Sequence, residues 1–294
     1  MSRRQHYRDL YDGPVRDGRP LAVVHGNCQA EALRVLLSGS PSFPFQPVRV
    51  PPVHELEAGD LAAYDRLLAA TSLLVSQPVS EDYRGLPLGT GQVSARLAPG
   101  AAVVVWPVVR WQGLHPWQAI VRAPDGAEPP VVPYHDLRTL TGRRPEGEDL
   151  LAAARDSTGE LVRREAACDV TVSDLLTGAD AVHTLNHPGN RVLLGLAHRV
   201  QARVGAPADA ADPGRVLLGG VRAPLEPQVL VALGLDGRGL DDRLREHWLV
   251  AGQPVPAEDV VVAQAAWYAT RPDVVTEGLR RYADRLALLG LSPR

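Results

Sequence analysis

Two short segments hold the side chains best suited to chemistry. The first, His25-Gly26-Asn27-Cys28-Gln29, sets a thiol between an apolar run and the start of a stretch with helical patterning. Unsatisfied N–H groups and the macrodipole at a helix N-terminus favour an anion, so this position is expected to lower the Cys28 pKa towards a nucleophilic thiolate. Gly26 permits close backbone approach by a ligand. Asn27 and Gln29 add hydrogen-bonding groups, and the N–H groups of residues 28 and 29 offer two donors for an oxyanion. The competing reading, a small buried cysteine in a turn, has equal weight on position alone. His25 reads as a packed strand residue and is assigned no proton transfer.

The second segment is Asp180-Ala-Val-His183-Thr-Leu-Asn186-His187-Pro188. A carboxylate three residues before a histidine can orient the imidazole and stabilise its protonated form, leaving the other nitrogen to act as a base. Its competitor is an Asp180 helix cap with His183 on the surface. His183 and His187 stand four apart, a zinc-helix spacing. However, Pro188 argues against a continuous helix, and Thr184 occupies the place of the metalloprotease glutamate, so no metal is expected. Cys28, Asp180, His183 and His187 are therefore the catalytic candidates. Gly26, Asn27, Gln29, Ser76, Gln77, His115, Tyr134 and Asn186 are the substrate- or cofactor-binding candidates. Ser76-Gln77-Pro78 closes a predicted strand, while the segments around His115 and Tyr134 read as pocket walls.

These groups need a scaffold. Residues 21–37 read as strand, tight turn and helix. A second strand is expected in 45–50, a helix near 56–70, a strand at 72–76 and another over 101–109, ending near Arg110. Continuous rather than alternating apolar runs, separated by helices, predict an α/β fold with a mostly parallel sheet covered by helices on both faces, SGNH- or Rossmann-like. Residues 111–147 look irregular, 148–180 helical, 183–190 a polar turn, and the stretch after it a helix. The tail suggests two or three more helices, the last near 273–290. The expected organisation is an N-terminal extension over 1–20, an α/β catalytic domain over 21–205, and a C-terminal helical region over 206–294 packed on the same domain.

Composition narrows the chemistry. All 31 basic side chains among 294 residues are arginine. Schiff-base, PLP-anchoring and Walker-type lysines are thereby excluded. A formal net charge of −3 gives no basic field for nucleic acid. The opening residues lack a secretory apolar region, and the longest apolar stretch is about half a membrane span. A cytoplasmic protein without membrane insertion is expected. Two cysteines, Cys28 and Cys168, are too few for a metal quartet or a disulfide framework. No glycine-rich dinucleotide loop follows the first strand.

In order, HGNCQAEAL at 25–33, VSQPV at 75–79, WQGLHP at 111–116, YHD at 134–136 and HTLNHPGNRVLLGLA at 183–197 resemble the WcbI family of polysaccharide biosynthesis enzymes. The resemblance covers about residues 20–200. It implies an α/β protein that binds coenzyme A or acetyl-CoA as acyl donor and acetylates a sugar in capsule assembly. Cys28 matches the family's motif cysteine, and His183, Asn186 and His187 match its HTxNHP block. The order also resembles SGNH-type hydrolases and acyltransferases, with Cys28 in place of their serine and Asp180 with His183 in place of their Asp-x-x-His pair. The expected function is a CoA-dependent acyltransferase acting on a hydroxyl or amine of a sugar-like or secondary-metabolite acceptor. The alternatives are a Cys-dependent thioesterase or esterase and a non-catalytic CoA or nucleotide-sugar binding protein. The expected partners are small molecules, with a homo-oligomer left open.

Overall fold

Leu21–His25 is buried along its whole length and forms β1. In the computed structural model, which describes residues 2–237 and 240–292, it is joined by β2 (Gln46–Val48), β3 (Thr71–Ser76) and β4 (Ala102–Val105). All pairings are parallel, in the order β2-β1-β3-β4. The period of two explains the continuous apolar runs. Ala22, Val24, Leu73 and Val75 feed one core with Leu33, Leu36 and Leu37 of the helix Cys28–Ser38 and Leu193, Leu196 and Val200 of the helix Asn190–Arg203. Leu21, Val23 and Leu74 feed a second core with Tyr64, Leu67 and Leu68 of the helix Leu61–Ala69. A sheet buried on both faces has no polar alternation to display. The fold class is the expected one, α/β with a parallel sheet and helices on both faces.

The chain leaves β1 towards β2 on one side and returns to β3 on the other. The β1/β3 crevice at the carboxyl ends of the strands is thus a topological switch point, where open α/β sheets bind ligands. Two expectations need correction. β4 stops at Val105, short of Pro107, which lacks the N–H to extend the ladder. The predicted helicity of 148–180 holds for Leu150–Glu165 and for a single 3₁₀ turn at Ser173–Leu175. Between them, Asp169 takes up the end of β4: its carboxylate accepts from the Val105 N–H at 2.7 Å and its own N–H donates to the Val105 carbonyl at 2.8 Å. The Glu165 carboxylate accepts from the Ser173 N–H at 2.7 Å and the Ser173 hydroxyl at 2.6 Å, fixing the following turn.

The chain divides into two units. The elements above belong to the first, built from residues up to 109, 162–175 and 189–218, except that the helix Leu150–Glu165 begins in the second, which takes 110–161, 176–188 and 219 onward. In the second, β5 (Gln118–Ala119) pairs antiparallel with β6 (His135–Asp136), and β7 (Val182–Thr184) with β8 (His187–Pro188). β9 (Val221–Arg222), β10 (His247–Val250) and β11 (Gln253–Pro256) form an antiparallel sheet in the order β11-β10-β9. The tail expected to be helical therefore carries a sheet as well as the helices Ala257–Tyr268, Pro272–Arg281 and Ala283–Leu288. Its hairpin turns on Ala251 (φ 48°) and Gly252 (φ 81°). That is the doubly left-handed pair of a type I′ turn, without the usual Asn-Gly signature. Pro254 and Pro256 are accommodated because β11 is an edge strand. Among the described residues, no helix is long and apolar enough to cross a membrane.

Candidate functional site

In the first unit, the turn after β1 is held by side-chain amides. The Asn27 side chain caps the helix Cys28–Ser38 by accepting from the Gln29 N–H at 2.9 Å. One of the two backbone donors foreseen for an oxyanion is therefore engaged by the cap. The Asn27 N–H donates to Gln77 Oε1 at 2.8 Å, and Gln77 Nε2 donates to Gln29 Oε1 at 3.1 Å. Gln29 pairs both ways with the loop beyond β4: Nε2 donates to the Val109 carbonyl at 2.7 Å, and Oε1 accepts from the Val109 N–H at 3.0 Å. Both glutamines are fully buried, at 0% and 1% exposure. Gly26 packs so closely on Gln77 that a Cβ would collide with its carboxamide. Ser76 donates to the Gln77 carbonyl at 2.7 Å, and Thr90 to the same carbonyl at 2.8 Å. The thiol-bearing turn is thus set by Gln29, Gln77 and Ser76 from within the protein.

Cys28 is the first residue of the helix and half-buried. Burial pushes its thiol pKa up, reinforced by Glu55, while the N–H groups of Cys28 and Gln29 pull the other way. The expected depression is therefore reversed: desolvation of a thiolate outweighs the donors of one helix turn. His25 is clamped below the turn, its Nε2 2.9 Å from the Leu88 carbonyl and its Nδ1 2.9 Å from the Tyr64 hydroxyl. Burial lowers its pKa to about 4.

The second unit gathers the other candidates. β7, the turn at Leu185-Asn186 and β8 make a tight hairpin from the HTLNHP run. The Tyr134 hydroxyl accepts from Thr184 Oγ1 at 2.9 Å, donates to Asn186 Oδ1 at 2.8 Å and lies 3.5 Å from His187 Nδ1. Burial lowers the His187 pKa, against a backbone contact with Val221 that raises it. His115, 5% exposed, is pushed down to about 4 by burial, against the backbone of Val182 and Pro224 and with help from neighbouring His183. Asp180 and His183 share the wall of a cavity of about 120 Å³ with Arg222 and Asp241. Tyr134, Asn186 and His187 are thus joined by hydrogen-bond contacts around one phenol, with His115 beside His183. Cys28, Gly26, Asn27, Gln29, Ser76 and Gln77 form the separate group of the first unit.

The family profile described as polysaccharide biosynthesis enzyme WcbI matches residues 21–209. The chain belongs to the WcbI family. A solved structure of WcbI, described as a novel polysaccharide biosynthesis enzyme and as the native protein without a disulfide bond between coenzyme A and one of its cysteines, superposes with a TM-score of 0.76. It is 22% identical, and the match covers 92% of this chain and 97% of that one. At that identity the likeness is one of fold. No curated protein matches the chain. The WcbI match ends before β9–β11, so the C-terminal sheet lies outside the segment by which the family is recognised.

Several participants had no sequence signal. Val109 enters through its backbone, and Trp248 of β10 stacks on Tyr134 with centroids 6.2 Å apart from inside a tail read as helical. Thr184 was legible in principle, as the threonine of the HTLNHP run. Among the described residues, no group of three or more His, Cys, Asp or Glu is placed to hold a metal ion.

Proposed function

We propose that this member of the WcbI family is a CoA-dependent acyltransferase that moves an acetyl group to a hydroxyl or amine of a sugar-like acceptor. The reading is supported above all by Cys28, the first helical residue at the carboxyl edge of β1, beside the switch point of a sheet whose family relative is described together with coenzyme A. In this reading the acyl donor is acetyl-CoA. With no lysine in the chain, its phosphates are bound by arginine and backbone N–H groups.

The raised thiol pKa shapes the chemistry. At neutral pH Cys28 is protonated, so a covalent route requires its proton to leave as sulfur bonds to the thioester carbonyl. CoA then departs as the thiol, and the acceptor hydroxyl displaces Cys28 from the acyl group, returning a proton to it. In direct transfer the acceptor oxygen attacks the thioester itself, and Cys28 serves only as a wall. We assign His183, with Asp180 on the same cavity wall, the role of base. His187, its pKa lowered, is uncharged at neutral pH and able to accept a hydrogen bond.

The deciding experiment incubates the full chain with acetyl-CoA, with and without methyl glycosides, and follows free CoA and acetylated sugar. Acceptor-dependent CoA release is expected, falling at least a hundredfold in His183→Ala. Release at the same rate without acceptor would instead make the protein a Cys-dependent hydrolase, and CoA binding without any turnover would make it a binding protein. Near-normal transfer by Cys28→Ala would remove the covalent route.

A further inference from the structure

Arg222 is a guanidinium that the protein's own groups leave almost unused. Its side chain is 20% exposed, and among the described residues its one ion pair, from Nη1 to Asp241, spans 3.9 Å, beyond hydrogen-bond reach. Its Nε is buried with no hydrogen-bond partner. Asp241 is already engaged, because Arg243 forks onto it at 3.0 and 2.7 Å. Burial pulls the Arg222 pKa down, Asp241 pulls it up and Arg243 adds to the fall. The group still carries its proton at neutral pH, since a guanidinium does not lose it in proteins. Holding a desolvated charge with so little compensation is unfavourable, and native interiors rarely leave such a donor idle.

The strand that carries Arg222 fixes where the charge is held. Arg222 ends β9, and the next residue ties that strand to the histidine hairpin, the Ala223 N–H donating to the His183 carbonyl at 2.8 Å. Arg222 and His183 line one cavity of about 120 Å³, wholly within the second unit. The rest of its wall is aliphatic, Val182, Ala223 and Leu225 among it, except for Asp180 and Asp241. Asp180 is not among the charges that act on Arg222, and Arg243 offsets Asp241, so the guanidinium keeps a positive field. One cationic donor, one imidazole and aliphatic walls suit a two-carbon unit that bears an anionic oxygen. Arg222 lies beyond the family match, which ends at residue 209.

We propose that Arg222 is the anion-binding residue of this cavity and, in acyl transfer, a catalytic residue that donates to the oxyanion formed beside His183. As the acceptor oxygen bonds to the thioester carbonyl carbon, its proton passes to His183 and the carbonyl π pair moves onto oxygen, where the guanidinium N–H groups meet the new charge. Collapse restores the carbonyl and breaks the C–S bond, and the CoA sulfur takes the proton from His183. The oxyanion role rests on the acyltransferase reading; the anion site itself does not.

The test uses acetate, the acetyl unit with oxygen in place of sulfur, and follows saturation transfer from the full chain to its methyl signal. Wild type is expected to show the signal, and Arg222→Met to lose it at an equal or higher melting temperature, because the substitution removes a poorly compensated charge. With acetyl-CoA and a methyl glycoside, the variant should lose about 10²–10³ in kcat at a nearly unchanged KM for acetyl-CoA. A methyl signal absent from wild type or equal in both proteins, a lowered melting temperature of Arg222→Met, or an undiminished kcat in it would each overturn the proposal. Acetate binding that needs Arg222, in a protein that never transfers acetyl, would uphold the anion site and sink the acyltransferase reading together with the oxyanion role. Undiminished transfer by Arg222→Met would sink the role of Arg222 and leave that reading intact.

Discussion

The surroundings of Cys28 and those of Tyr134 use buried polar groups in opposite ways. Around Cys28, two glutamine amides lock together the Asn27 N–H, each other and both backbone groups of Val109. Around Tyr134, one phenol gathers Thr184, Asn186 and His187 beside a cavity of about 160 Å³. The amides tie the turn to the backbone of a distant loop, whereas the phenol ties three side chains of one hairpin through a single oxygen.

The largest effect that would break this contrast is expected at Gln29. Gln29→Leu strands the Val109 N–H and carbonyl in a buried setting, and at about 1–3 kcal/mol for each unsatisfied group the loss should be roughly 2–6 kcal/mol in urea unfolding. A loss below 1 kcal/mol would mean that the lock is not closed. Next comes acid. His25 in the first unit, and His115 and His135 in the second, are all lowered to about 4 by burial. Unfolded histidines protonate near 6.5. Between those values the unfolded state binds more protons, so stability rises with pH and is lost as pH falls from about 6.5 towards about 4. Urea midpoints at pH 7.5 and 4.5 should differ clearly, and equal midpoints would show that these imidazoles are not held neutral.

Tyr134→Phe should cost about 1–2 kcal/mol by removing one multiply bonded hydroxyl, and thermal melting measures it. A larger loss than for Gln29→Leu would invert the comparison. Gly26→Ala should push Gln77 out of the amide lock while the sheet persists, read as a faster alkylation of Cys28 together with a lowered melting temperature. Smallest of all is the behaviour of the wild-type thiol. With its pKa raised, Cys28 should react slowly with iodoacetamide at pH 7.5 and keep accelerating through pH 9. Cys168, pushed up to about 11 by burial and by Glu165 and Asp169, serves as the slower internal reference.

How much of this was written in the residues depends on range. The strand, turn and helix around Cys28 follow from local patterning and an Asn cap, and the HTLNHP run forms the tight turn its proline implied. The direction of the thiol pKa did not follow, because a helix terminus is visible in sequence and the extent of burial is not. Nor did the pairing of Gln29 with Val109, eighty positions apart, since a backbone group has no residue type to flag it. The C-terminal strands were missed for a third reason: their turn is Ala-Gly and their edge is rich in proline, so neither propensity nor turn chemistry marks them.

The course of the chain has a consequence for descent. It changes unit at 109/110, 161/162, 175/176, 188/189 and 218/219. Neither unit corresponds to a continuous stretch of gene. A fragment ending at residue 205 would strip Ala210 and Leu217 from the first core, and Trp248 and Val260 from the cluster around Tyr134 and Leu185 in the second unit. Residues up to 109 lie wholly in the first unit and those from 219 onward wholly in the second, so an exchange at either end alters one unit alone, while one through 110–218 cuts into both, and the cysteine turn at 25–29 can be inherited apart from the histidine hairpin at 182–188.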